Sequence, residues 1–180
     1  RAAAAAPAST AQLRQGARSQ TCVPGPVDVP ARPLNYVAPI ESASWPIGCA
    51  EVGADACAAI SAAARGREVV LVVAGAAEHA QLRAFAAAAA TAGFHDQLLV
   101  ATDDDATAAL AKGELHLAAF TLRLPPPWPS PAGLLKYAAL EAVLGAGCGV
   151  VFSSLTTKWS DAPFAYLYRD ADVEAVAAGG

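Results

Sequence analysis

The sequence predicts an α/β fold: a mostly parallel sheet with flanking helices, preceded by a proline-rich extended arm. Three observations carry this. Short apolar, β-branched runs recur at residues 67–74, 97–101, 115–122 and 149–153, each bounded by polar or glycine residues, the mark of strands buried on both faces. Helix-favouring segments lie between them. Glycines punctuate the turns, as short connections in such folds require.

Each element has a local reason. Residues 50–64 are alanine-rich and favour helix. Arg67 to Ala74 (REVVLVVA) is the first strand. Residues 77–92 place Leu82, Phe85 and Ala89 at helical spacing, with Gly93 as the stop. Gln97 to Ala101 is the second strand. Thr102, with an acid three positions on, approximates a capping box for a helix running to about Lys112, with Gly113 after it. Leu115 to Leu122 is the third strand, followed by a proline loop from Pro125 to Pro131. A helix over 133–145 leads to the fourth strand, Gly149 to Ser153. A short helix at 163–168 and a final short strand at Asp172 to Val176 complete the expectation.

Two domains of different character follow: an arm over 1–48 and an α/β unit over 49–180. The arm holds Pro7, Pro24, Pro26, Pro30, Pro33, Pro39 and Pro46, and no acid before Asp28. Proline at this density interrupts helix and ladder alike, so an extended segment is expected. Its early arginines and alanines have the composition of a mitochondrial or plastid transit peptide, and a luminal stem would look similar. With Arg1 first and no methionine, the chain reads as a processed product.

Composition excludes several classes. Of 180 residues, 55% are hydrophobic and 16% charged, which argues against a wholly disordered chain. Much of the apolar fraction is alanine, so the core should be lean. The formal net charge is −4 and the 12 Lys and Arg are scattered, which disfavours a nucleic-acid interface. No run of about 18 apolar residues is present to span a membrane. Cys22, Cys49, Cys57 and Cys148 are too few for a disulfide scaffold. Free buried thiols are the plainer reading; Cys49 and Cys57 could pair across a short helical segment in a secreted chain. His79, His95 and His116 lie at no zinc spacing.

In parallel sheets ligands sit beyond the carboxyl ends of the strands. After the first strand comes Gly75-Ala-Ala-Glu78-His79, which is neither G-x-G-x-x-G nor a Walker element. After the second comes Asp103-Asp104-Asp105. Three carboxylates can hold a divalent ion, but acids at a helix start are favoured by the dipole, and capping is the expectation. Ser153-Ser154 lacks the G-x-S-x-G of a nucleophile elbow.

A further pattern runs through 133–174: Lys136, Leu144, Gly147, Val150-Val151-Phe152-Ser153, Trp159, Pro163, Tyr166-Leu167 and Asp170-Ala171-Asp172-Val173-Glu174. Its order and spacing resemble the nucleotide-diphospho-sugar transferases of the GT-A fold, which include plant and algal arabinosyl- and xylosyltransferases. The strand at 67–74, the Leu82 and Phe85 helix, the QLLVATDDDATAAL segment and the strand after it are similar to that family's first half, a Rossmann-like nucleotide-binding unit, so the resemblance covers roughly 65–178. The resemblance implies a fourth strand ending in Ser-Asp-x-Asp, whose carboxylates hold Mn²⁺ or Mg²⁺ against the donor diphosphate. This chain has Ser154-Leu155-Thr156 there, within FSSLTTKW. Two hydroxyls supply no charge to a hard cation. Lys158 stands where the family usually has an apolar residue, and a lysine there could replace the metal's charge. The chain also stops soon after the Asp-rich strand, before the family's acceptor-side segments.

These departures lead to the expectation of a degenerate glycosyltransferase-like domain, without catalytic or metal-binding residues and without a cofactor. It would serve as a structural or interaction subunit among protein partners, with no nucleic acid and no membrane span. The alternative is an active sugar-nucleotide transferase, metal-independent or completed by another chain, using a UDP-sugar donor and, if metal-assisted, Mn²⁺. A generic small-molecule α/β binder is the third reading. Nucleotide contacts implied by the resemblance fall on Gly75, Lys136, Ser154, Thr156 and Lys158. The family is mostly Golgi-luminal.

Overall fold

The computed structural model describes residues 45–123 and 131–167, and the side chains of its last helix from residue 134. The elements run α1 (Cys49–Val52), α2 (Ala54–Ala63), β1 (Glu68–Val73), α3 (His79–Thr91), β2 (Leu98–Thr102), α4 (Asp105–Ala109), β3 (Ala118–Thr121), α5 (Pro131–Gly145) and β4 (Gly149–Phe152). Short 3₁₀ turns precede α3 and β2, and another spans Pro163–Tyr166. The four strands form one sheet in the order β3-β2-β1-β4, with every pairing parallel. The expected α/β class is what the chain adopts. The expected arm to residue 44, the proline loop up to residue 130 and the strand at Asp172 to Val176 lie outside the described residues; Pro131, counted with that loop from sequence, begins α5.

The β1 sequence shows why the sheet is central. Alternate residues face opposite sides of a strand. Val70 and Val72 join one core layer with Leu82, Phe85, Phe94 and Val100. Val69 and Leu71 join the other with Ile60, Leu99, Phe120, Ala139 and Val143. A strand apolar at every position is therefore one covered on both sides. α3 packs on the first face, α2 and α5 on the second. The strand order moves one way from β1 to β3 and then reverses to reach β4. Right-handed crossovers require α5 to change face at that reversal, and it does.

Several boundaries differ from the sequence reading. The helix expected over 50–64 is two helices, broken at Gly53, whose φ of 96° leaves the helical region. Thr102 is not the cap of α4: it is the last residue of β2, and Asp104 is the N-cap, its Oδ2 accepting from Thr107 N–H at 2.7 Å. Thr102 Oγ1 instead accepts from the Asp104 N–H at 3.1 Å. Gly113 does not stop that helix, which widens into a π turn at Leu110–Glu114. The third strand begins at Ala118 rather than Leu115, because His116 sits at φ 54° and turns the chain. Gly93 does end α3, at φ 82°, with Phe94 N–H reaching back to Ala89 O at 3.0 Å.

Cys49 and Cys57 are joined in a disulfide, with Cα atoms 5.7 Å apart. This replaces the plainer reading of free thiols for that pair. Cys148 is free and buried, and its Sγ lies 3.1 Å from Arg67 O. Burial, and secondarily the nearby Glu68 charge, push its thiol up to about 12. Trp45 to Gly48, counted with the arm from sequence, pack on the fold: the Trp45 indole N–H donates to Gly147 O and the Ile47 N–H to Ala146 O, both at 3.3 Å.

Candidate functional site

The carboxyl ends of the strands carry most of the residues that sequence singled out. Past β1, the Gly75 N–H donates to Glu78 Oε2 at 2.9 Å and the Glu78 N–H to Gly75 O at 3.0 Å. The backbone amide that could face a phosphate is thus occupied by the chain's own carboxylate. Gly75 has φ −117° and ψ −180°, an extended conformation open to any residue.

Past β2, the acidic run does three different things. Asp104 caps α4. Both carboxylate oxygens of Asp105 accept from Arg123 Nη2, at 2.8 and 2.7 Å. Asp103 offers its backbone carbonyl to the same guanidinium at 3.4 Å. The capping expectation is met, through the middle residue. Among the described residues no group of three or more His, Cys, Asp and Glu could hold a metal ion.

An arrangement not read from sequence links these two strand ends. Thr107, fully buried, donates its hydroxyl proton to Asp104 Oδ2 at 2.6 Å. Its oxygen lies 2.8 Å from His79 Nε2. Because the threonine has one proton and has given it to Asp104, the histidine must donate through Nε2–H. The Thr107 side-chain and backbone hydrogen bonds hold the Asp104 carboxyl below its ordinary range, with the His79 charge a smaller contributor. The sequence signal was present: His79 stands six residues past β1, and Asp104 and Thr107 follow β2. What sequence could not show is the placement of α3 beside α4 that brings them together.

Past β4 the chain leaves the sheet early. Phe152 is level with Leu71, and the Ser153 N–H donates to Leu71 O at 2.9 Å, while β1 continues to Val73. Ser154 Oγ and Thr156 Oγ1 are hydrogen-bonded to each other at 2.9 Å, and Thr156 N–H reaches Ser154 Oγ at 3.3 Å. Both residues are exposed, as is Lys158. Ser153 is buried, and its Oγ accepts from the Trp159 indole N–H at 3.0 Å. Leu155, Trp159, Ala162 and Phe164 then pack on the α3 face of the sheet. Trp159 meets Phe94 edge-on at 6.1 Å, and Phe94 meets Phe85 at 6.4 Å.

This routing matters for ligand binding. A crevice opens at the reversal of strand order when the two adjacent strands send their connections to opposite faces. Here the segments leaving β1 and β4 both turn to the α3 face. Lys136 is on α5, which packs on the other face, and its Nζ lies 4.8 Å from the centre of the Tyr137 ring. The five nucleotide-contact candidates therefore fall in three places: Gly75 past β1, Ser154, Thr156 and Lys158 past β4, and Lys136 on the opposite layer.

A divalent cation, which the resemblance implies, does not fit the donors at the β4 tip. Ser154 and Thr156 offer two neutral hydroxyls hydrogen-bonded to each other, and hard cations are held by carboxylates and carbonyls. No family model matches the chain, and comparisons with curated proteins and with solved structures find no match. Among the described residues no helix is long and apolar enough to cross a membrane.

Proposed function

We propose that this chain is a nucleotide-sugar-transferase-like domain that has lost turnover and acts as a structural or interaction subunit of a larger assembly. The observation that carries the reading is the neutral, mutually hydrogen-bonded hydroxyl pair of Ser154 and Thr156 at the tip of β4, in a sheet ordered β3-β2-β1-β4. A departing diphosphate needs charge placed against it, and removing such charge costs orders of magnitude in rate. A surface suited to protein contact also supports it. Tyr137 and Leu144, seven residues apart on α5, are 60% and 57% exposed, and Phe152 on β4 is 42% exposed. Residues at i and i+7 share one helix face.

The test is a thermal shift with UDP, with and without Mn²⁺. A ligand at 100 times its dissociation constant stabilises by about 2.7 kcal/mol, or roughly 5–11 °C for a chain of this size. The native chain should show no Mn²⁺-dependent shift, and the Ser154→Asp/Thr156→Asp double variant should gain one. A native chain that shifts with UDP and Mn²⁺, or a folded double variant that ignores the metal, would overturn the reading.

A second reading is a metal-independent transferase, favoured by the exposed cation of Lys158 two residues beyond Thr156. It requires a shift with UDP alone that Lys158→Ala abolishes.

A further inference from the structure

The segment from Trp45 to Val52 lies as a strap across the C-terminal end of α5. Its polar attachments are modest. Two backbone carbonyls, Gly147 O and Ala146 O, accept from Trp45 and Ile47 at 3.3 Å, and such bonds contribute little net. Val52 packs near Gly145, and the Trp45 ring lies 5.9 Å from the Arg67 guanidinium carbon. One helical turn, α1, is too short to hold its own shape. The covalent tie is the Cys49–Cys57 disulfide, which joins the strap to α2 through a cysteine only 5% exposed. Trp45 and Val52 of the strap pack against the core layer that holds Cys148, which is 3% exposed.

We propose that the Cys49–Cys57 disulfide is a redox latch, and that its reduction releases the strap and uncovers Cys148. The reductant is a dithiol. Its thiolate attacks the half-buried Cys49 Sγ, forming a mixed disulfide and expelling the Cys57 thiolate, which takes up a proton. The second thiol of the reductant then displaces Cys49 as a thiolate, which is protonated in turn. The protein disulfide is reduced to two thiols, and the dithiol is oxidised to its own disulfide.

The experiment uses the full chain carrying Cys22→Ser, oxidised or treated with dithiothreitol. It follows backbone amide exchange and iodoacetamide labelling of Cys148, read by mass spectrometry. Reduction should speed exchange at Ile47 and Val52 at least about tenfold while leaving Leu71 and Val100 unchanged, and Cys148 labelling should accelerate with it. The Cys49→Ser/Cys57→Ser variant should reproduce the reduced pattern without reductant; should it not fold, the reductant arm decides alone. Unchanged exchange in the strap, acceleration spread equally through β1 and β2, or Cys49 and Cys57 found as free thiols in the untreated chain would each overturn the latch.

Discussion

Replacing Gly48 with alanine tests the strap's geometry directly. Gly48 sits at φ 66° and ψ 14°, in the left-handed region. A side chain there costs about 1–2 kcal/mol. A Cβ would also lie 2.7 Å from the Gly145 backbone oxygen, a contact that requires main chain to move, at about 1–3 kcal/mol for overpacking. The stiffer unfolded chain returns about 0.4–1 kcal/mol. The net loss is about 1–4.6 kcal/mol, or roughly 2–18 °C at 2–4 °C per kcal/mol. Gly66 is the control. It has φ 59° with nothing within 4 Å of where a methyl would sit, so Gly66→Ala carries the conformational cost alone, at most about 1.6 kcal/mol after the same offset. Both variants are melted by circular dichroism with the disulfide intact, and the Ile47 amide is followed by hydrogen exchange. Gly48→Ala should melt below Gly66→Ala and exchange faster at Ile47. Equal melting and equal exchange in the two variants would refute the close approach of the strap to α5.

Two further outcomes are expected. Phe94→Ala removes a ring buried among Phe85, Leu98 and Trp159 and should cost about 3–5 kcal/mol, measured by urea denaturation; a loss below about 1 kcal/mol would contradict the packing. Asp104 has a folded carboxyl below its ordinary value, so its contribution is present above the ordinary carboxyl range and disappears as pH falls through the lower folded value. Asp104→Ala should therefore lower the melting temperature at neutral pH, and the gap to the native chain should close on acidification below about pH 4; a gap unchanged at acid pH would show that the carboxylate is not the capping group.

Much of the fold was legible because its signals are local. Apolar runs without alternation marked strands covered on both faces, and Val69 to Val72 are fully buried. Gly93 announced the end of α3 because one backbone conformation demands it. The failures share a different cause. Gly53 splits one helix into two, and His116 turns the chain ahead of β3, through backbone angles that apolar periodicity does not encode. Thr102 and Asp104 compete for the same capping role, and the winner depends on how far β2 extends. The site was legible in position but not in partnership. Gly75 and Ser154 lie past strand ends as read. Yet Glu78's hold on the Gly75 amide, the turn of both connections to one face, and the relay from His79 through Thr107 to Asp104 depend on where loops and helices settle.

The row of rings from Phe85 through Phe94 to Trp159 gives the molecule an internal optical gauge. The indole of Trp159 is half-buried, with its N–H on the Ser153 hydroxyl and its edge against a phenyl ring. Its emission colour depends on that shelter, whereas Trp45 reads the opposite layer of the sheet. With Trp45 and Trp128 replaced by phenylalanine, the light from Trp159 alone follows the docking of the post-β4 segment onto α3. Parting of that seam then becomes visible apart from the melting of the strands.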